Sequence, residues 1–233
     1  MKKWAIIVAG GSGLRMGQAM PKQFLMLADR PLLSYTIEAF FQAYEDIRIV
    51  LVLPRDFMSM GEQLIEVEYA GKQIQLTQGG ATRFDSVKNG LALTDRQDAI
   101  VFVHDGVRCL VSPSLIRRCY EKTIETGAVI PAIAANDSIR LRSQTADSAG
   151  GNPTAVLNRD RVLLVQTPQT FYAHWLHEAF TLSYQEHFTD EATVVEQKGR
   201  SIAIVEGEET NIKITRPVDL LIAERYLQQR SNS

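Results

Sequence analysis

Cysteine is nearly missing from this chain: Cys109 and Cys119 are the two thiols in 233 residues. Two such residues make neither a disulfide framework nor a zinc site, and they fit a reducing compartment. Long apolar runs are missing as well. None approaches the roughly 20 residues that span a bilayer. Trp4–Val8, after Met1-Lys2-Lys3, is too short for a secretory leader. A cytoplasmic protein is the expectation. Charge of one sign is also lacking: 25 Lys+Arg stand against 27 Asp+Glu. That balance offers no global field to nucleic acid or to a membrane surface, so any cationic site must be local. What is present in quantity is apolar residue, 45% of the chain. At this length that is enough for one substantial core, and one domain over residues 1–233 is expected.

Short β-rich apolar runs alternate with longer amphipathic stretches. Strands are predicted at Ala5–Val8, Ile47–Leu53, Ile74–Thr77, Ala99–Val103 and Ala128–Ala132. Helices are predicted at Pro31–Ala43, Phe57–Ala70, Arg83–Leu93 and Pro113–Thr126, the last closed by Gly127. The near-unbroken apolar run of Ala99–Val103 suits a strand covered on both faces. This alternation predicts an α/β fold with a mostly parallel sheet flanked by helices. Residues 135–161 break the pattern. Ser138–Leu141 and Ala155–Asn158 flank a turn at Gly150–Pro153, which reads as a β-hairpin arm; an open surface loop has the same composition. Beyond it come a strand at Leu163–Gln166 and helices at Ala173–Glu186 and Glu191–Lys198. A strand at Ser201–Glu206 and a helix from Pro217 to Leu227 complete the pattern.

The chemistry concentrates where strands end. Ala5–Val8 runs into Gly10, Gly11 and Gly13, with Arg15 and Lys22 soon after. A buried strand opening into a glycine turn brings backbone N–H groups close to phosphates. The dinucleotide fingerprint fails here, because Met16 replaces the third glycine and no carboxylate ends the second strand. A P-loop would need Gly-Lys-Ser/Thr, which is absent. The pair Arg15 and Lys22 suits an α-phosphate that gains charge in a transition state. Gly79-Gly80-x-x-Arg83-x-x-Ser86 is a second glycine turn entering a helix; Ser86 could meet a base or ribose, and an ordinary helix entry explains the turn equally. His104-Asp105-Gly106-Val107-Arg108 follows the central strand, where α/β ligands bind. Asp105 there could take a hydroxyl or a magnesium-bound water, and Arg108 a phosphate. A structural Asp–Arg salt bridge is the alternative. Thr189-Asp190-Glu191 reads as a helix cap. Lys213 lies in a β-like run between Ile212 and Ile214.

Taken in order, IVAGGSGLRM, PKQF, GGATRFDSVKNGL, VHDGVR, QTPQTF, TDEA and NIKITRPVDL closely resemble the 2-C-methyl-D-erythritol 4-phosphate cytidylyltransferase family across nearly the whole chain. The resemblance implies a Rossmann-like nucleotidyltransferase fold, a three-layer sandwich with a protruding β-arm, and a magnesium-dependent transferase that joins CTP to methylerythritol phosphate and releases pyrophosphate. It also implies a homodimer held through the 135–161 arm. By motif, Ala9, Gly10 and Gly11 would receive CTP, and Gly80, Arg83 and Ser86 would hold its cytosine and ribose. Arg15 and Lys22 would stabilise the α-phosphate. Asp105 and Arg108 would contact the polyol phosphate, with Ser138 where a threonine is common. Arg159 would reach the substrate phosphate from the partner subunit, and Lys213, with Thr167 and Thr189, would position it. Mg²⁺ would be held mainly by the CTP phosphates, with Asp105 the possible protein ligand. Gly106, Val107 and Cys109 replace the usual alanines and proline of the strand-end motif, and Val8 replaces a frequent proline. A ribitol-5-phosphate cytidylyltransferase and a non-catalytic CTP sensor are the competing readings.

Overall fold

The computed structural model describes residues 1–10, 21–143 and 154–231. In chain order, β1 (Lys2–Val8), β2 (Met26–Leu27) and β3 (Arg30–Pro31) lead into α1 (Leu32–Ala43). β4 (Arg48–Leu53), α2 (Met58–Glu68), β5 (Ile74–Gln78), α3 (Arg83–Leu91) and β6 (Ala99–Asp105) follow. Next come α4 (Pro113–Thr126), β7 (Ala128–Ala134), β8 (Ile139–Arg142) and β9 (Thr154–Leu157). β10 (Leu163–Val165), β11 (Gln169–Tyr172), α5 (Ala173–Ala179), α6 (Glu191–Glu196), β12 (Ala203–Glu206) and α7 (Pro217–Ser231) complete the chain.

The main sheet runs β10-β7-β11-β6-β1-β4-β5, with β12 also on β7. β1 lies parallel between β4 and β6, with Ile6 opposite both Val50 and Val103. Side chains alternate along these strands, and both faces are covered. Ala5, Ile7, Leu51 and Phe102 pack with Ile37, Phe40 and Leu115 of α1 and α4. Ile6, Val50, Val101 and Val103 face the other way onto Val87, Leu176 and Val194 of α3, α5 and α6. A third cluster, with Leu27, Leu32, Leu110, Ile214 and Ala223, seats α7 beside the first turn of α1.

Local chemistry sets several boundaries. Ser112 caps α4 by accepting from the Leu115 N–H at 3.0 Å, and Pro113 occupies the first helical turn. Gly127 ends it at φ +85°, where glycine carries no Cβ penalty. The expected sheet, parallel core and hairpin are all present. β8 and β9 pair antiparallel from Ile139 opposite Leu157 to Arg142 opposite Thr154; the turn at Gly150–Pro153 lies outside the described residues.

Three expectations need correction. The helix from Ala173 stops at Ala179 rather than Glu186. The chain turns there so that Phe180 and Phe188 stack on Phe84, with ring centroids 4.6 and 5.8 Å apart. Gln169–Tyr172 is a strand that periodicity missed, lying antiparallel between β6 and β7. Its Gln169 and Thr170 are polar yet buried, because the sheet and not solvent surrounds them. The β-like run around Lys213 joins no sheet; the Ile214 N–H bonds to the Val107 carbonyl at 3.0 Å instead.

Candidate active site

A cleft of about 520 Å³ opens at the carboxyl ends of β1, β5 and β6. Its walls include Ala9, Gly10, Lys22, Gly80, Arg83, Ser86, Asp105 and Lys213. Eight positions singled out from the sequence therefore meet in one place. Gly11 and Arg15 lie outside the described residues.

On one wall, two glycine turns approach each other. The Ala9 N–H bonds to the Val52 carbonyl at 2.9 Å, and the Ala9 carbonyl accepts from Gln23 Nε2 at 2.6 Å. A Cβ on Gly79 would stand 3.1 Å from Ser86 Oγ and 3.8 Å from the Gly10 Cα, so the turns meet where side chains have little room. Thr82 caps α3, and Asp85 returns the bond to the Thr82 N–H in a capping box. Ser86 Oγ accepts from the Gly80 N–H at 3.1 Å and donates to the Thr82 carbonyl at 2.9 Å. Ser86 thus holds the glycine turn in shape while lining the cleft.

Charge dominates the opposite wall. Asp105, buried at the end of β6, receives Arg83 on Oδ1 at 3.1 Å and Lys213 on Oδ2 at 2.9 Å; Arg108 Nε stands 3.6 Å away. Burial alone would raise the Asp105 pKa; Arg83, Lys213 and Arg108 outweigh it and hold the carboxyl far below its usual range. Arg83 also pairs with the buried Glu191. Burial opposes the Arg83 charge, but Glu191 and Asp105 overcome that and hold it above its ordinary value. For Glu191 burial prevails over Arg83 and moves the pKa upward. Lys22 reaches across to the Thr215 carbonyl at 3.2 Å.

Several expected site residues already hold partners within the chain or lie away from the cleft lining. The Arg83 guanidinium, half-buried in the cleft wall, engages Asp105 and Glu191, two carboxylates that balance its charge. Arg108 does not line the cleft; its guanidinium donates to the Asn211 carbonyl at 2.8 Å. The Thr167 hydroxyl is buried beneath Asp105 and accepts from its backbone N–H at 3.1 Å. Thr189 and Ser138 are exposed and outside the cleft, and Arg159, expected to act on a partner's cleft, is exposed on the surface. Arg159 donates to the Asn136 carbonyl at 2.9 Å.

Asp190 is the expected cap, accepting from the Thr193 N–H at 2.9 Å. Glu191 and His104 were not recognised from sequence. An acid in a first helical turn looks like dipole compensation, and only tertiary packing turns Glu191 toward Arg83. No group of three or more His, Cys, Asp or Glu gathers to hold a metal among the described residues. Asp105 is the one carboxylate lining the cleft among them, and its oxygens already face cations.

A mostly parallel sheet with two glycine turns and a cationic cleft at its strand ends is the arrangement of an α/β protein built to receive phosphates. The family model described as 2-C-methyl-D-erythritol 4-phosphate cytidylyltransferase matches residues 4–229. The chain belongs to that family. It is 43% identical to the Bacteroides thetaiotaomicron 2-C-methyl-D-erythritol 4-phosphate cytidylyltransferase, over 97% of this chain and 100% of the relative. A Porphyromonas gingivalis relative of the same description is 41% identical, over 97% and 98%. Among solved structures, the Anaerococcus prevotii 4-diphosphocytidyl-2C-methyl-D-erythritol synthase superposes with a TM-score of 0.80 at 30% identity, covering 97% of this chain and 98% of that one. The Thermus thermophilus cytidylyltransferase gives 0.74 at 30%, covering 98% and 100%.

Proposed function

We propose that this protein transfers the cytidylyl group of CTP to 2-C-methyl-D-erythritol 4-phosphate, forming 4-diphosphocytidyl-2-C-methyl-D-erythritol and pyrophosphate. The observation that carries the reading is the cleft itself: paired glycine turns on one wall and Asp105 with Lys213 on the other, in a chain of this family. The acceptor's phosphate oxygen is already anionic, so the attack on the α-phosphate needs no strong general base. Catalysis then rests on positioning and charge neutralisation. Lys22 takes the α-phosphate charge together with Arg15. Lys213 holds the acceptor phosphate, and Asp105 accepts from a polyol hydroxyl. Mg²⁺, carried by the triphosphate, supplies further charge neutralisation when bound.

A homodimer through residues 135–161 belongs to the same proposal. It is supported by apolar side chains that the described residues leave exposed: Leu141, Val156 and Leu157 on the hairpin, Leu163, Leu164 and Val165 on β10. A surface of this kind suits burial against a second copy. Arg159 beside it would then serve the partner's cleft.

The deciding experiment offers the protein CTP and Mg²⁺ with either methylerythritol phosphate or ribitol 5-phosphate and follows pyrophosphate. Release with methylerythritol phosphate alone is expected. Release with ribitol phosphate alone moves the assignment to the sister enzyme. CTP binding with no release from either polyol makes the protein a sensor.

A further inference from the structure

His104 is fully buried at the carboxyl end of β6, one residue before Asp105. Its Nε2 lies 3.2 Å from the Arg108 carbonyl oxygen, and its Nδ1 lies 3.0 Å from the Thr167 hydroxyl. The Phe40 ring meets the imidazole edge-on at 5.3 Å. A carbonyl can only accept, so Nε2 carries the proton. The ring is fully buried, with a carbonyl and a hydroxyl at its two nitrogens and no carboxylate bonded to either among the described residues, so it is neutral. Nδ1 is therefore an acceptor, and Thr167 donates to it. The Thr167 oxygen in turn accepts from the Asp105 N–H at 3.1 Å.

Every bond in this chain now has a direction. The Asp105 N–H donates to Thr167, Thr167 to His104, and His104 to the Arg108 carbonyl. The Arg108 N–H closes the turn onto the Asp105 carbonyl at 2.9 Å. One imidazole thus clamps the Asp105–Arg108 turn at both ends. We infer that His104 is a positioning residue for the acceptor half of the site, its single neutral tautomer fixing where the Asp105 carboxylate stands. The Thr167 proton is spent on His104, so Thr167 acts on the acceptor through Asp105 and does not donate to its phosphate. Gly10 follows β1, Gly80 lies in the β5–α3 turn and Ser86 in α3, and among the described residues no hydrogen bond joins any of them to His104. The effect should therefore be confined to the acceptor. This inference rests on the cytidylyl-transfer reading for its kinetic half only.

Two measurements test it. In ¹⁵N-histidine-labelled protein, the His104 resonance, identified by its loss in H104N, should show a protonated Nε2 and a bare Nδ1. A protonated Nδ1 or a cationic ring at pH 7 overturns the inference whatever the enzyme turns over. The variants divide the two limbs: His104→Asn keeps an acceptor for Thr167, His104→Gln keeps a donor for Arg108, and His104→Phe keeps neither. His104→Phe is expected to raise the acceptor KM about tenfold or more, with the CTP KM within about twofold. His104→Asn, which keeps the limb ending on Asp105, should retain more acceptor affinity than His104→Gln. Where His104→Phe does not fold, the two polar variants decide. Unchanged acceptor KM in folded variants, or acceptor and CTP KM rising together, overturns the assignment. Lack of pyrophosphate release by the unaltered enzyme with any polyol phosphate instead rejects the proposed function, and the tautomer still reports on the clamp.

Discussion

Asp105→Asn removes the one negative charge that three cations share at the cleft. The structure sets how much this should cost. Lys213, whose side chain is 45% exposed, can return to water, so its pair contributes only ~0–1 kcal/mol. The bond from Arg83 is half-buried and charge-assisted, a class worth ~1.5–3 kcal/mol. Asparagine keeps one oxygen to accept it, so part of that survives. Arg83 keeps Glu191, and Arg108 keeps the Asn211 carbonyl, so no cation is left without a partner. The loss should therefore fall below the ~3–5 kcal/mol of a broken buried pair, near ~2 kcal/mol. For a chain of this size that lowers Tm by roughly 4–8 °C. The pH dependence has a definite sign. The folded carboxyl titrates below its unfolded value, so its contribution is complete above pH ~4 and disappears as pH falls beneath that. Thermal melts of both proteins should show a constant Tm gap from pH 8 to 5 and a narrowing one below about pH 4. A gap under about 1 °C at neutral pH, or one that closes between pH 7 and 5, would refute the reasoning.

Lys22→Ala should lower kcat by about 10²–10³-fold while moving the CTP KM only a few-fold, as expected for a cation acting on developing charge; unchanged kcat removes it from that role. Gly80→Ala should weaken CTP binding about tenfold, because the new methyl overlaps Asp85 and opens the capping box; calorimetry on the folded variant checks it. Mixing inactive Arg159→Ala and Lys22→Ala chains should restore part of the activity through hybrid sites, and no recovery in confirmed hybrid dimers counts against a shared site. Cys109 and Cys119, buried and pushed up to about 12 by that burial, should resist a thiol reagent until the chain is denatured; prompt labelling of the native protein disproves that.

Much of the architecture was legible in the chain. Apolar runs gave β1, β4, β6 and β7, because a strand covered on both faces must be apolar throughout. Pro113 and Gly127 marked the ends of α4 by local chemistry alone. β11 stayed hidden, since Gln169 and Thr170 owe their burial to strands far away in sequence. Glu191 stayed hidden for the same reason: its role depends on Arg83, 108 residues earlier.

The sequence by itself determined the family, the α/β alternation and the residue types from which the site is built. Each of these is written in local order, in periodicity and in short motifs. Tertiary structure alone decided how those residues divide their work. It sent Arg83 to Asp105 and Glu191, turned Arg108 toward backbone carbonyls, and laid Thr167 on His104 beneath the carboxylate. The physical reason is that a buried charge or hydroxyl must find a partner within hydrogen-bond reach. Which partner that is depends on strands and helices brought together from distant parts of the chain.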